Sequence, residues 1–379
     1  MAGGAPPRRK PLGGPPIRSL AFVLRYLLAR SLIHPLEGVR FAEWVRLLKR
    51  ERFRIGPLYW PRALWVSAMG LVNSVAARAV ERRFGAAIAA ARVEAPVFVL
   101  GHYRSGTTFL HALLTTDPNF TSPTRYEAYN PSTFLVGERW LKLFIEPFML
   151  PRRAQEDEIA LLNLSQASPY MAWCFPRSRE GYEQFNTFEH ASPAERAEWS
   201  TAMTRFLKML VVRRHKPLIL KSPPHTGRVK LLLELFPDAR FVHIRRNPYV
   251  VYSSTIGLLK RIRLVFRLQS AREAVDVGSV LRTYSVMYDA YFADRELIPA
   301  GQLVEISYED LERDPAGQVR AIYEGLALGD FEAVRPHLEA YLGTVASYRK
   351  NRHRPLDDAT KQRVAEAWGR CFDAWGYPR

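Results

Sequence analysis

The sequence predicts an α/β protein, with a parallel sheet flanked by helices and a helical N-terminal extension. Three observations carry this. Short, continuous apolar runs at 97–100 (VFVL), 218–220 (LIL), 240–244 (RFVHI) and 303–306 (LVEI) alternate with helical stretches, the pattern of strands buried on both faces. Residues 97–114 pass from such a strand through a glycine-bearing loop into a helix. The first 90 residues hold 16 Lys+Arg against 4 Asp+Glu and show no strand pattern, whereas the remaining 289 hold 39 against 33.

At 379 residues and 47% hydrophobic content, the chain suffices for one large domain plus an extension. Residues 1–90 read as the extension and 91–379 as the domain. Residues 1–16 are Gly/Pro-rich and basic, a composition that predicts disorder. Residues 17–33 place Leu20, Leu24, Leu27, Leu28 and Leu32 near helical spacing with Arg18, Arg25 and Arg30 between them, which reads as a basic amphipathic helix. Arg25 interrupts the apolar stretch and no small-residue cleavage site is evident, which argues against a signal peptide. Residues 63–77 are uncharged for 15 positions between Arg62 and Arg78 and contain Ser67, Asn73 and Ser74. A span needs roughly 20 apolar residues, so this run predicts a core or interfacial helix.

The net charge of +18 lies mainly in the extension, interleaved with long aliphatic and aromatic side chains. The expected anionic partner is therefore a membrane surface, met through residues 17–80, rather than nucleic acid. Cys174 and Cys371 make neither a disulfide framework nor a metal site, and no metal is expected. In the domain, 192–215 and 227–236 read as helices. The helix-rich tail 334–379 carries Trp368, Phe372 and Trp375 to pack it onto the domain.

Two segments carry the chemistry. Gly101 to Gly106 has the Gly-x4-Gly frame of a phosphate-binding P-loop, which makes the predicted sheet P-loop-NTPase-like, but Thr107 stands where the nucleoside-triphosphate lysine belongs. A helix N-terminus there presents backbone N–H groups and the positive end of a dipole. Arg104 adds a forked cation, and Ser105, Thr107 and Thr108 add hydroxyls. The second segment, 240–255, runs from a strand into Arg245-Arg246-Asn247-Pro248 and then a helix with Ser253 and Ser254. Arg246 and Ser254 lie eight apart, as do Arg245 and Ser253. An Arg at a strand end and a Ser on the following helix can converge on one phosphate at the sheet edge that binds ligands in open α/β folds.

On these residues the chain resembles the sulfotransferases that use 3'-phosphoadenylyl sulfate (PAPS). Arg104-Ser105-Gly106-Thr107-Thr108 is similar to their 5'-phosphosulfate loop, and Arg246 with Ser254, in register with Asn247-Pro248, is similar to their 3'-phosphate motif. The resemblance covers most of 95–379, including Lys221-Ser222-Pro223-Pro224-His225-Thr226, Tyr308-Glu309-Asp310-Leu311 and Trp375-Gly376-Tyr377. It is closest to the bacterial-type branch, whose loop style is shared with protein-tyrosine sulfotransferases. The resemblance implies PAPS as donor and a hydroxyl or amine as acceptor. It implies donor contacts from Arg104, Ser105, Gly106, Thr107, Thr108, Arg246 and Ser254, with Tyr308, Arg349 and Lys350 near the nucleotide.

For catalysis it implies Lys221 and Arg104 at the departing phosphate and Glu127 as the base. The cytosolic branch uses a His two residues after the Lys, where this chain has Pro223. His225 and the cluster Glu156-Asp157-Glu158 are the other base candidates. His102 and Tyr103 are expected toward the acceptor, with Tyr126, Tyr129, Tyr170, Trp173, Phe175 and Phe185 as candidates to line a hydrophobic acceptor pocket or to fill the core. The competing readings are a P-loop kinase acting on a small molecule and a membrane-surface binding protein with an inactive enzyme domain. The expected location is cytoplasmic, peripheral at the inner face of the membrane.

Overall fold

The computed structural model describes residues 34–137, 154–270, 275–346 and 355–379. Each apolar run forms a strand: β1 (Val97–Leu100), β2 (Ile219–Lys221), β3 (Arg240–Arg245) and β4 (Leu303–Ser307). All pair in parallel, in the order β2-β1-β3-β4. In β1, Phe98 and Leu100 enter one apolar core while Val97 and Val99 enter another. The alternation explains why β1 carries no polar residue: neither face meets water. The chain leaves β1 toward β2 on one side and β3 lies on the other, so the C-terminal end of β1 is the switch point where such sheets open a crevice.

Helices close both faces. Those the site depends on are α1 (Phe41–Arg50), α2 (Trp60–Ala90), α3 (Thr107–Leu114), α4 (Arg125–Tyr129), α5 (Glu158–Leu164), α6 (Pro193–Arg214), α7 (Pro248–Phe266) and α8 (Val277–Asp294). The expected helix at 192–215 is α6, started by a Ser192/Glu195 capping box and ended where His215 turns left-handed at φ 51°. The tail does pack on the domain. Trp368 stacks on Tyr284 with ring centroids 3.7 Å apart, and Phe372 meets Tyr249 at 4.8 Å.

The uncharged run 63–77 lies inside α2, which is long and apolar enough by length and composition to cross a membrane. Its polar residues anchor it to the rest of the molecule instead. Ser74 Oγ accepts from the Phe41 amide at 3.0 Å, Ser67 Oγ from the Trp44 indole at 2.8 Å, and Asn73 donates to the Glu37 carbonyl at 2.7 Å. Gly70 lets α1 approach; a Cβ there would lie 3.1 Å from the Phe41 Cα. The segments 1–16 and 17–33 lie outside the described residues, as do Arg349 and Lys350.

Candidate active site

The loop after β1 turns on two glycines. Gly106 adopts φ 109° as the N-cap of α3, and a Cβ there would fall 2.3 Å from the Tyr308 ring. Gly101 adopts φ 142°, and a Cβ would meet the Ile244 carbonyl oxygen at 2.7 Å. Between them Arg104 is held at φ 72°, a left-handed conformation that a side chain adopts at a cost and that is characteristic of functional loops. We expect Gly106→Ala to lower affinity for adenosine 3',5'-bisphosphate by about a hundredfold or more, because strain and collision together reshape the cradle; calorimetry checks it.

Arg104 ties the two phosphate segments together. Its Nε donates to Ser254 Oγ at 2.8 Å, and its carbonyl accepts from Arg246 at 3.2 Å. The Arg246 guanidinium lies over the Tyr308 ring at 3.8 Å. The alternative register, Arg245 with Ser253, is disfavoured because Ser253 bonds back to the Tyr249 carbonyl of its own helix at 3.1 Å. Thus Arg104, Gly106, Arg246, Ser254 and Tyr308 come together from three segments of the sequence. Ser105 is buried against the His102 carbonyl at 2.8 Å, where it stiffens the loop; Thr107 is buried and Thr108 exposed.

Lys221 ends β2, next to β1, and so arrives beside the loop. It is almost fully buried, with Nζ 2.5 Å from Glu156 and 3.4 Å from Thr108 Oγ1. The next turn is pinned to the loop through Thr226, whose hydroxyl accepts from the Gly101 amide at 2.7 Å. The acids at 156–158 face this segment in order. Glu156 meets Lys221; Asp157 meets His225 at 2.5 Å and the Ser222 hydroxyl at 2.9 Å; Glu158 pairs with Arg228 at 2.7 Å. Burial pushes the Asp157 carboxyl up, but His225 and Ser222 overcome this and hold it below its usual range. Glu158 and Arg228 are fully buried. Arg228→Ala should therefore cost about 3–5 kcal/mol by stranding a buried carboxylate, read as a lowered denaturation midpoint.

Glu127, expected as the base, is engaged in structural contacts. It is fully buried and closes a capping box with Thr124 at the start of α4. One carboxylate oxygen takes the Thr124 amide and hydroxyl at 2.7 and 2.8 Å; the other takes Arg214 at 2.7 Å and Arg213 at 3.3 Å. A carboxylate has about four acceptor positions, and these contacts use them. The Thr-x-x-Glu spacing at 124–127 was the sequence signal for this role. His225 is likewise fully buried and held by Asp157. Glu156 differs, because its side chain is one quarter exposed and, among the described residues, it accepts from Lys221 and, at 2.5 Å, from the Tyr170 hydroxyl.

An apolar pocket adjoins the loop. Trp173, Leu258, Leu259, Ile262 and Val280 line it, with His102 and Tyr103 at its loop side. The pocket is partly open to solvent. Tyr170 stacks on Trp173 at 4.2 Å, and Tyr103 lies 5.7 Å from Trp173. Aromatic rings thus run from the pocket to the hydroxyl that meets Glu156. Burial lowers His102 to about 3, so it is neutral, and burial together with Glu158 and Glu156 keeps Tyr103 protonated. Of the other aromatic candidates, Tyr129, Phe175 and Phe185 are buried in the core, and Tyr126 packs at its edge.

Comparison with known proteins identifies the family and the fold. A family model described as the sulfotransferase family matches residues 96–332. The chain is 38% identical over 355 residues to omega-hydroxy-beta-dihydromenaquinone-9 sulfotransferase Stf3 of Mycobacterium bovis and of Mycobacterium tuberculosis, covering 90% of this chain and 91% of each relative. Among solved structures, sulfotransferase STF9 from Mycobacterium avium superposes with a TM-score of 0.66 at 21% identity, covering 95% of this chain and 97% of that one. Sulfotransferase STF1 from Mycobacterium tuberculosis gives 0.59 at 18% identity, covering 93% and 98%. The family match over residues 96–332 and the relatives 38% identical over nine tenths of both chains place the chain in the sulfotransferase family, and it is a sulfotransferase.

Proposed function

We propose that this enzyme transfers the sulfuryl group of PAPS to the hydroxyl of a lipid-like alcohol at an anionic membrane surface. The observation that carries the reading is the Lys221–Glu156 pair, set between the phosphate loop and an apolar, aromatic-walled pocket. The cradle suits the donor. Arg104, the loop hydroxyls and the α3 N-terminus fit its 5'-phosphosulfate, and Arg246 with Ser254 fits its 3'-phosphate. The relatives' acceptor, a hydroxylated menaquinone derivative by their name, supports an apolar alcohol here.

PAPS supplies the sulfuryl group and an adenosine bisphosphate leaving group. The acceptor oxygen forms a bond to sulfur as the bond from sulfur to the bridging phosphate oxygen breaks. Glu156 accepts the hydroxyl proton, and Lys221, with the loop amides and Arg104, meets the charge left on the phosphate. Glu156 is our choice of base over Glu127, since its carboxylate keeps acceptor positions and partial exposure. Tyr103, Trp173 and Tyr170 hold the acceptor and keep water from competing. Tyr308 supports Arg246, and Arg349 and Lys350 remain proposed nucleotide contacts by family resemblance.

The test is transfer of radiolabelled sulfuryl from PAPS to a vesicle-borne long-chain alcohol in the presence of EDTA. Labelled sulfate ester is the expected product. Transfer to peptide or sugar acceptors alone would contradict the acceptor class.

A further inference from the structure

Exposed large apolar side chains are concentrated in one place. Of the ten among the described residues, Phe53, Leu58, Trp60, Leu64, Leu71, Val72 and Val75 lie within 53–75. On α2, the exposed Trp60, Leu64, Ala68, Leu71, Val72 and Val75 fall along one stripe of the helix, with Leu64 63% and Val75 68% exposed. The opposite stripe, with Ala63, Val66, Gly70 and Asn73, is buried. A helix on a water-facing surface presents polar residues outward; α2 presents apolar ones on both sides.

The patch adjoins the acceptor pocket. Val265, at the end of α7, is another of the ten. Arg62 of α2 donates to the Val265 carbonyl at 3.4 Å and to that of Arg267 at 3.2 Å, and the Gly56 amide bonds Leu268 at 2.9 Å. Ile262 and Arg267 line the pocket itself. Bases flank the patch: Lys49, Arg50, Arg52 and Arg54 are exposed on one side, and Lys260 and Arg261 on α7. The acid within that run, Glu51, turns inward to the hydroxyls of Ser178 and Tyr182, so the outward charge is positive.

We propose that this face seats the enzyme on an anionic lipid bilayer and that the acceptor passes from the bilayer into the pocket along the Arg62–Val265 edge. Apolar side chains entering the acyl boundary within a ring of bases is the composition that binds anionic membranes. A second copy of the chain on the same two-fold face would set these bases against themselves. The docking stands on the surface alone; the route rests on the lipid-like acceptor reading above.

The experiment compares the full chain with Leu64→Glu/Leu71→Glu/Val75→Glu and with Arg52→Gln/Arg54→Gln, each checked for an unchanged melting curve. Cosedimentation uses phosphatidylglycerol and phosphatidylcholine vesicles. The wild type should prefer phosphatidylglycerol. The first variant should lose binding on the order of a hundredfold, and the second about tenfold with less salt dependence. Wild type left in the supernatant, or a first variant that binds as wild type does, would overturn the docking. So would loss of a wild-type dimer in that variant with vesicle binding unchanged, since the face would then belong to a second copy.

The second arm measures sulfation of vesicle-borne hexadecanol against hexanol in free solution. The first variant should lose at least tenfold on hexadecanol and keep its hexanol rate; equal loss on both, or none, overturns the route. A wild type that sulfates neither alcohol would remove the acceptor reading and the route together, while vesicle binding, which needs no turnover, still decides the docking.

Discussion

Lys221→Ala is expected to lower kcat on the order of 10²–10³-fold while adenosine 3',5'-bisphosphate still binds. Sulfuryl transfer leaves negative charge on a phosphate oxygen, and a cation held in a nearly dry site meets that charge more strongly than one in water. Lys221 is so held: it is 4% exposed, on a strand end, between Glu156 and the first turn of α3. Its cost at rest is met by Glu156, so the charge is kept ready without a donor. By the proposed assignment Arg104 and Arg246 remain to bind the nucleotide, so binding and turnover should separate. Lys221→Arg should rescue little, because the planar fork cannot take the position of a compact ammonium. Single-turnover kinetics beside calorimetry make the distinction.

Glu156→Gln is expected to cost on the order of 10²–10⁴ in kcat with little change in donor affinity. The amide keeps the shape and the bond to Tyr170 but cannot take the acceptor proton. Glu127→Ala is the control. It should lower stability by about 3 kcal/mol, because Arg213 and Arg214 lose the carboxylate that pairs them at the start of α4, yet keep kcat per folded molecule. Denaturant titration of both variants beside their rates separates the two roles. A Glu127→Ala enzyme that folds normally and does not turn over would restore Glu127 as the base.

Much of this site was legible because it is local. β1, the glycine loop and α3 follow one another in sequence, and the eight-residue spacing of Arg246 and Ser254 needs only a strand end and about two helical turns. Asn247 caps α7, and the Asn247-Pro248 register is what points to Arg246 with Ser254 as the proposed pair. The base proposed here was less legible because its partner is distant. Glu156 and Lys221 are 65 positions apart, and nothing near either residue announces the other. Glu127 drew attention by its place after the P-loop helix, although its spacing from Thr124 is that of a helix cap. The uncharged run at 63–77 was ambiguous for a physical reason: α2 buries one apolar stripe and exposes another, and composition alone does not tell which side has a partner.

We propose that the loop, Arg246 and Ser254 form a cradle for a nucleotide carrying separate 5'- and 3'-phosphates. Calorimetry of the full chain with adenosine 3',5'-bisphosphate and with ATP, both without magnesium, tests it most directly. Low-micromolar or tighter binding of the bisphosphate is expected, weakened at least tenfold by Arg246→Ala, with much weaker binding of ATP. Tight binding of ATP with none of the bisphosphate would contradict it.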